Sequence, residues 1–145
     1  MKVYVASSWR NNWQPSVVKV VRRNGHEAYD FRNPEDGDCG FHWSEIDEAW
    51  QSWDLYQYRD GLRHSIAERG FSLDFAAMQW ADACVQVAPC GRSAHLEAGW
   101  FVGQGKPTAL YILDEQEPEL MYKMFDRMCM GVPDLEAWLA EVAAR

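Results

Sequence analysis

The sequence predicts a three-layer α/β fold, a parallel sheet of four or five strands with helices on both faces in a flavodoxin-like or Rossmann-like layout. Three observations predict it. Short β-rich runs alternate with stretches of helical spacing along the chain. The run Cys84 to Ala88, CVQVA, is apolar enough for a strand covered on both faces, as parallel sheets require. At 145 residues and 48% hydrophobic content the chain can bury one sizeable core, and it has no internal repeat or linker, so a single domain over residues 1–145 is expected.

Val3 to Ala6 reads as the first strand, followed by the polar loop SSWRNN and a helix from Pro15 to Arg23. The four valines of that helix also fit a strand, but Asn24-Gly25 is a helix stop. Glu27 to Phe31 reads as a second strand, ended by Asn33-Pro34. Ser44 to Asp47 resembles a capping box, and Ile46, Ala49, Trp50 and Trp53 recur at helical spacing, predicting a helix from about Glu45 to Tyr58. Ser72 is the expected cap of a short helix through Ala83, with Phe71 and Ala76 as its hydrophobic staple. The central strand, Cys84 to Ala88, then leads through the turn PCGRS to a helix from Ala94 to Val102, a terminator at Gly103 to Pro107, and a strand from Thr108 to Leu113. Leu120 to Met130 and Asp134 to Ala144 read as helices, with a short strand near Met128 to Val132.

The net charge of −8 opposes binding to polymeric nucleic acid. That charge is local: Asn33 to Tyr58 holds Glu35, Asp36, Asp38, Glu45, Asp47, Glu48 and Asp54 with no lysine or arginine, marking an acidic, aromatic insert at about 33–58. Trp43, Trp50 and Trp53 of the eight tryptophans lie in it, and flat rings suit a sandwiched planar ligand. The alternative reading makes Ile46, Trp50 and Trp53 the buried stripe of a helix. The N-terminus has no secretory or membrane-spanning stretch, so a cytoplasmic protein without a membrane partner is expected. Cys39, Cys84, Cys90 and Cys129 lack metal-ligand spacing, so no metal is expected, and they read as free thiols of a reducing compartment.

Ligands of open parallel sheets collect beyond the carboxyl ends of the strands, which nominates the loops Ser7 to Asn12, Asn33 to Trp43 and Pro89 to Ala94. The first and third carry small or hydroxyl residues and one arginine each, Arg10 and Arg92, ahead of a helix N-terminus, equipment for a monophosphate or small anion. Neither loop has the dinucleotide glycine fingerprint or a Gly-Lys-Ser/Thr phosphate loop, so no cofactor is expected. Arg92 as a solvated turn arginine and Ser93 as a plain helix cap are the plainer readings. Glu97 is expected near the start of its helix, facing the strand ends, where the helix dipole favours a carboxylate nucleophile. Asp74, in the expected first turn of the preceding helix, is the second candidate, since cleavage of a glycosidic bond requires two carboxylates converging on one pocket. Asp82 falls at the amino end of the central strand and reads as structural. A thiol or hydroxyl nucleophile, Cys90 or Ser93 with His95 as base, is a further arrangement, disfavoured because such near neighbours rarely meet in line.

The string LDFAAMQWADACVQVAPCGRSAHLEAGWFVGQGKP, with VYVASSWRN at the start, resembles the nucleoside 2-deoxyribosyltransferase family and the related 2′-deoxynucleoside 5′-monophosphate N-glycosidases. The resemblance covers the first strand and loop and residues 71–112. It implies that Glu97, in LEAG, attacks the anomeric carbon to form a covalent glycosyl-enzyme, and that Asp74 acts on the leaving base or orients the nucleophile. Ser8 and Arg10, flanking Trp9, match a serine and an arginine that nucleotide-cleaving members place on the 5′-phosphate. The chain departs from the family at Gly91, where a serine or aspartate is common six residues before the nucleophile; Arg92 or Ser93 stand as substitutes. The resemblance further implies a homodimer or larger homo-oligomer whose pocket a neighbour completes, and a small nucleotide or nucleoside as ligand. Two other activities fit the same residues: a nucleotide sensor that uses Glu97 only to bind a ribose hydroxyl, and an NAD-cleaving glycohydrolase resembling TIR domains.

Overall fold

A computed structural model describes residues 1–34 and 37–145. In chain order the regular elements are β1 (Lys2–Ala6), α1 (Gln14–Arg23), β2 (Glu27–Tyr29), α2 (Leu55–Leu62), α3 (Ser65–Trp80), β3 (Ala83–Val87), α4 (Arg92–Gly103), β4 (Thr108–Tyr111), β5 (Arg127–Cys129) and α5 (Val132–Ala143). They form two compact units, residues 1–30 with 80–145, and residues 31–79. No helix among the described residues is long and apolar enough to cross a membrane.

The first unit holds a five-stranded, wholly parallel sheet in the order β2-β1-β3-β4-β5. The flavodoxin-like α/β layout expected from the sequence is therefore the observed one. Every residue of β3 is buried, which fits its central place. Side chains alternate across the sheet. Val3, Val5, Val85, Val87, Ala109 and Tyr111 form one face, packed in a single core with Val17 and Val21 of α1 and Leu135, Trp138 and Leu139 of α5. Trp138 is among the largest fully buried side chains, and replacing it with alanine would cost about 3–5 kcal/mol. The opposite face carries Tyr4, Ala6, Cys84, Gln86 and Leu110, all buried, and α4 packs here through Ala94, Ala98 and Phe101, with the Tyr4 and Phe101 rings 5.7 Å apart.

The valine-rich segment after the first loop is helical, as Pro15 and Asn24-Gly25 indicated. Val17, Val18, Val20 and Val21 bury one side of α1, and Gly25 adopts φ +80° beyond its end, where a side chain would be strained. Three segments differ from expectation. Leu120–Met124 is a 3₁₀ turn, and β5 follows it directly, so no helix spans Leu120 to Met130.

The other two lie in the second unit, which contains the described part of the acidic insert; Glu35 and Asp36 fall outside the described residues. No helix runs from Glu45 to Tyr58. Glu45 instead boxes with His42, accepting from the His42 backbone N–H at 3.0 Å, and Asp47 accepts from the Ala49 N–H at 2.9 Å and the Trp53 indole at 2.6 Å. These local side-chain bonds outcompete the helix and leave short 3₁₀ turns at Trp43–Glu45 and Trp50–Ser52. Trp50 is exposed, so Ile46, Trp50 and Trp53 are not the buried stripe of one helix. The helix starts only at Asp54, which accepts from Tyr56 and Gln57 N–H groups while Gln57 caps back. Ser72 caps nothing: it lies inside α3, which begins at Ser65. Gly70, inside α3, is a packing point, where a Cβ would press on Phe41 at 2.9 Å.

Candidate functional site

In the first unit the strand order reverses between β1 and β3, and the loops leaving their carboxyl ends meet there. Ser7 Oγ donates to the Val87 carbonyl at 2.9 Å. The Asn11 carboxamide binds both loops at once. Its Nδ2 donates to the carbonyls of Pro89 (2.9 Å) and Val87 (3.3 Å), and its Oδ1 accepts from the N–H groups of Trp13 (2.8 Å) and Gln14 (3.0 Å), opening α1. Buried Gln14 in turn donates to Asp30 Oδ1 at 2.8 Å. Within this frame Ser8 is half-buried, and Trp9 and Arg10 are exposed on the β1 loop. The Trp13 indole donates to Asp114 at 2.8 Å, tying the loop region to the segment after β4.

On the β3 side Gly91 is the N-cap of α4 in an extended conformation, and Arg92 and Ser93 are exposed in the first turn. Ser93 lies within the helix, so the helix-cap reading of it fails. Glu97 is the sixth residue of α4, in the second turn, where the macrodipole is weak; the dipole argument therefore does not carry the carboxylate. Its placement rests on packing. It is half-buried, beside the stripe Ala94, Ala98 and Phe101 that α4 lays on the sheet, and its charge bears on the thiols of Cys84 and Cys90. Burial first and Glu97 second push the Cys84 thiol up and raise that of Cys90 to about 12.

A thiol raised in this way stays protonated at neutral pH and is a poor nucleophile. Its Sγ does come within 3.8 Å of His95 Nδ1, nearer than their spacing suggested. But Nδ1 is 2.8 Å from the Gly91 carbonyl, which can only accept, so Nδ1 carries the proton. In the neutral ring Nε2 then accepts from the Tyr122 hydroxyl at 3.0 Å, leaving no lone pair for a thiol proton.

Asp82 is structural, as expected: its carboxylate accepts from the Lys2 N–H at 2.8 Å and its N–H donates to the Lys2 carbonyl. Asp74 is half-buried in the third turn of α3, in the second unit, rather than in a first turn. The Asn33 to Trp43 loop belongs to that unit as well, and Asp38 in it pairs with Arg69 at 2.6 Å.

Three residues of this site escaped the sequence reading. Asn11 had a signal, an Asx-type residue three positions before the helix. Gln86 had one too, the lone polar residue of CVQVA. Tyr122 had none, because its role depends on the chain returning past β4.

No family model matches the sequence, and no curated protein aligns with it. Solved structures do. The 2-deoxyribosyltransferase of Bacillus psychrosaccharolyticus superposes with TM-score 0.61 at 19% identity over 94% of this chain and 90% of its own. A conserved protein of Enterococcus faecalis V583 gives 0.63 at 12% identity over 97% and 98%. The CMP N-glycosidase of Clostridium botulinum gives 0.53 at 12% identity over 97% and 99%. With its five parallel strands in the order β2-β1-β3-β4-β5, the chain has the flavodoxin-like fold seen in nucleoside 2-deoxyribosyltransferases.

Proposed function

We propose that this protein is an enzyme that cleaves or exchanges the N-glycosidic bond of a small nucleotide or nucleoside through a covalent glycosyl-enzyme on Glu97. The observation that carries the reading is the place of Glu97: a half-buried carboxylate held on α4 against the sheet, on a fold shared with a 2-deoxyribosyltransferase and a CMP N-glycosidase. In the proposed step a Glu97 oxygen forms a bond to the anomeric carbon while the bond to the base nitrogen breaks, its electron pair leaving with the base. Water, or a second base, then attacks the same carbon and releases the carboxylate. The resemblance gives Asp74 the second role, protonating the departing base or orienting Glu97. It gives Ser8 and Arg10 the 5′-phosphate, with Trp9, Gly91, Arg92 and Ser93 as further substrate-binding residues of the two loops, and implies a homodimer or larger assembly.

The test is free base released from a panel of ribo- and deoxyribonucleoside monophosphates, nucleosides and NAD, followed by chromatography. Release from a nucleotide or nucleoside, abolished in Glu97→Gln with binding retained, supports the reading. A fully active Glu97→Gln protein overturns the nucleophile assignment. A melting temperature raised by nucleotides without any base released makes the protein a sensor, and release from NAD alone makes it an NAD glycohydrolase.

A further inference from the structure

Gln86 is an anomaly of the central strand. Its side chain is 0% exposed, yet neither its amide nitrogen nor its amide oxygen has a hydrogen-bond partner among the described residues. A buried carboxamide left unpaired destabilises the protein that carries it, so its presence in the most buried strand calls for a purpose. Register and alternation locate it. Gln86 pairs with Ala6 of β1 and Leu110 of β4, one residue before the carboxyl end of β3, on the face that α4 covers. Two residues earlier on that face is Cys84, whose thiol feels the Glu97 charge, as does Cys90 in the turn above. The phenol of Tyr122 stands near enough for a weak hydrogen bond with the amide to bear on its titration, but neither amide atom has a partner at full hydrogen-bond geometry. Tyr122 is itself committed to His95, and His95 to Gly91. The amide therefore has its donor and its acceptor unspent on the side of the sheet where Glu97 stands.

We propose that the Gln86 carboxamide determines sugar specificity by hydrogen-bonding the ring hydroxyl next to the anomeric carbon that Glu97 attacks, so that the site selects ribose over 2′-deoxyribose. This rests on the glycosidic reading of Glu97 for which hydroxyl is meant. A hydroxyl is both donor and acceptor and matches a carboxamide, and the 2′-hydroxyl is the hydroxyl nearest the reacting carbon. A 2′-deoxy sugar leaves the amide unpaired, and a site built to bond a hydroxyl rejects the analogue without it.

The experiment compares matched ribo- and 2′-deoxyribonucleoside 5′-monophosphates, by thermal shift and by kcat/KM for base release, in the wild type, in Gln86→Met, a nearly isosteric apolar variant, and in Gln86→Leu. The wild type should favour the ribonucleotide by about ten- to hundredfold. Both variants should bring the ratio near unity, mainly by losing the ribonucleotide, and the unliganded Gln86→Met protein should melt no lower than wild type. A wild type without preference, or preferring the deoxy sugar, overturns the inference, as does a ratio unchanged in whichever variant folds. Base release from both sugars alike sinks the inference and leaves the cleavage reading standing. A ribose-selective thermal shift lost in Gln86→Met, with no base released, does the reverse, and no response to any compound sinks both.

Discussion

The Asn11 carboxamide donates to the Pro89 carbonyl at 2.9 Å, joining the loop after β1 to the loop after β3 across the point where the strand order reverses. It also donates to the Val87 carbonyl and accepts two backbone N–H groups that open α1. Folds of this kind collect ligands at those loops, and Asn11, together with Ser7, braces them.

Asn11→Ala leaves buried backbone groups unpaired and should cost about 2–3 kcal/mol, lowering the melting temperature by roughly 5–10 °C for a chain of this length. Asn11→Asp keeps the acceptor and loses the donor, and should fall between the two. Thermal melts of the three proteins check this; an Asn11→Ala protein as stable as wild type refutes the brace.

The Cys90 thiol, raised to about 12 by burial and by the Glu97 charge, should resist alkylation at neutral pH. Its iodoacetamide rate should climb with pH beyond 10. The sign of the Glu97 contribution is definite: a negative neighbour disfavours a thiolate, so Glu97→Gln should lower the Cys90 pKa and speed its labelling. Exposed Cys39 serves as the internal control. Peptide mass mapping after timed alkylation reads both sites, and a Cys90 rate indifferent to Glu97→Gln would separate the two groups.

Much of the first unit was legible because its signals are local and agree with one another. The apolar CVQVA run, the proline and Asn-Gly bracket around the valine helix, and the Gly103 to Pro107 terminator each gave the right element within a residue or two of its ends. The 31–79 unit was misread where side chains compete for the backbone. The Asp47 carboxylate, read as part of a capping box, is taken by Ala49 and the Trp53 indole, and the Phe41 contact that makes Gly70 a packing point comes from far along the chain. The places of Glu97 on α4 and of the two loops at the strand ends follow from the sequence, but Gln86 and Tyr122 come near each other only because β3 and the turn after β4 are adjacent in space.

Asp47 offers a pH test of that second unit. The Trp53 indole, then the Ala49 N–H, hold its carboxyl below the usual carboxylate range. A depressed folded pKa means that the stabilisation is fully present above the unfolded value, about 3.9, and is lost as pH falls through the lower folded value. Trp53 fluorescence should therefore change in acid below about pH 4, and Asp47→Asn should remove that step. A Trp53 signal that titrates identically in Asp47→Asn would assign the change to another group.

Arg10 provides the test of nucleotide against nucleoside. It is exposed on the β1 loop, two residues beyond half-buried Ser8, and its guanidinium makes no hydrogen bond or ion pair within the described residues. An exposed arginine contributes little to stability, so Arg10→Ala should leave the melting temperature within about 1 °C, on the scale of surface substitutions. If its guanidinium meets a 5′-phosphate, the charge-assisted bond is worth about 1.5–3 kcal/mol, and its loss should raise KM for monophosphates by roughly ten- to hundredfold. Nucleosides lack the phosphate and should be processed as before, so the ratio of kcat/KM between the two substrates isolates the contact from any general damage. Arg10→Lys should recover only part of the loss, because an ammonium cannot repeat a bidentate bond. Equal losses on nucleotide and nucleoside would remove Arg10 from phosphate recognition.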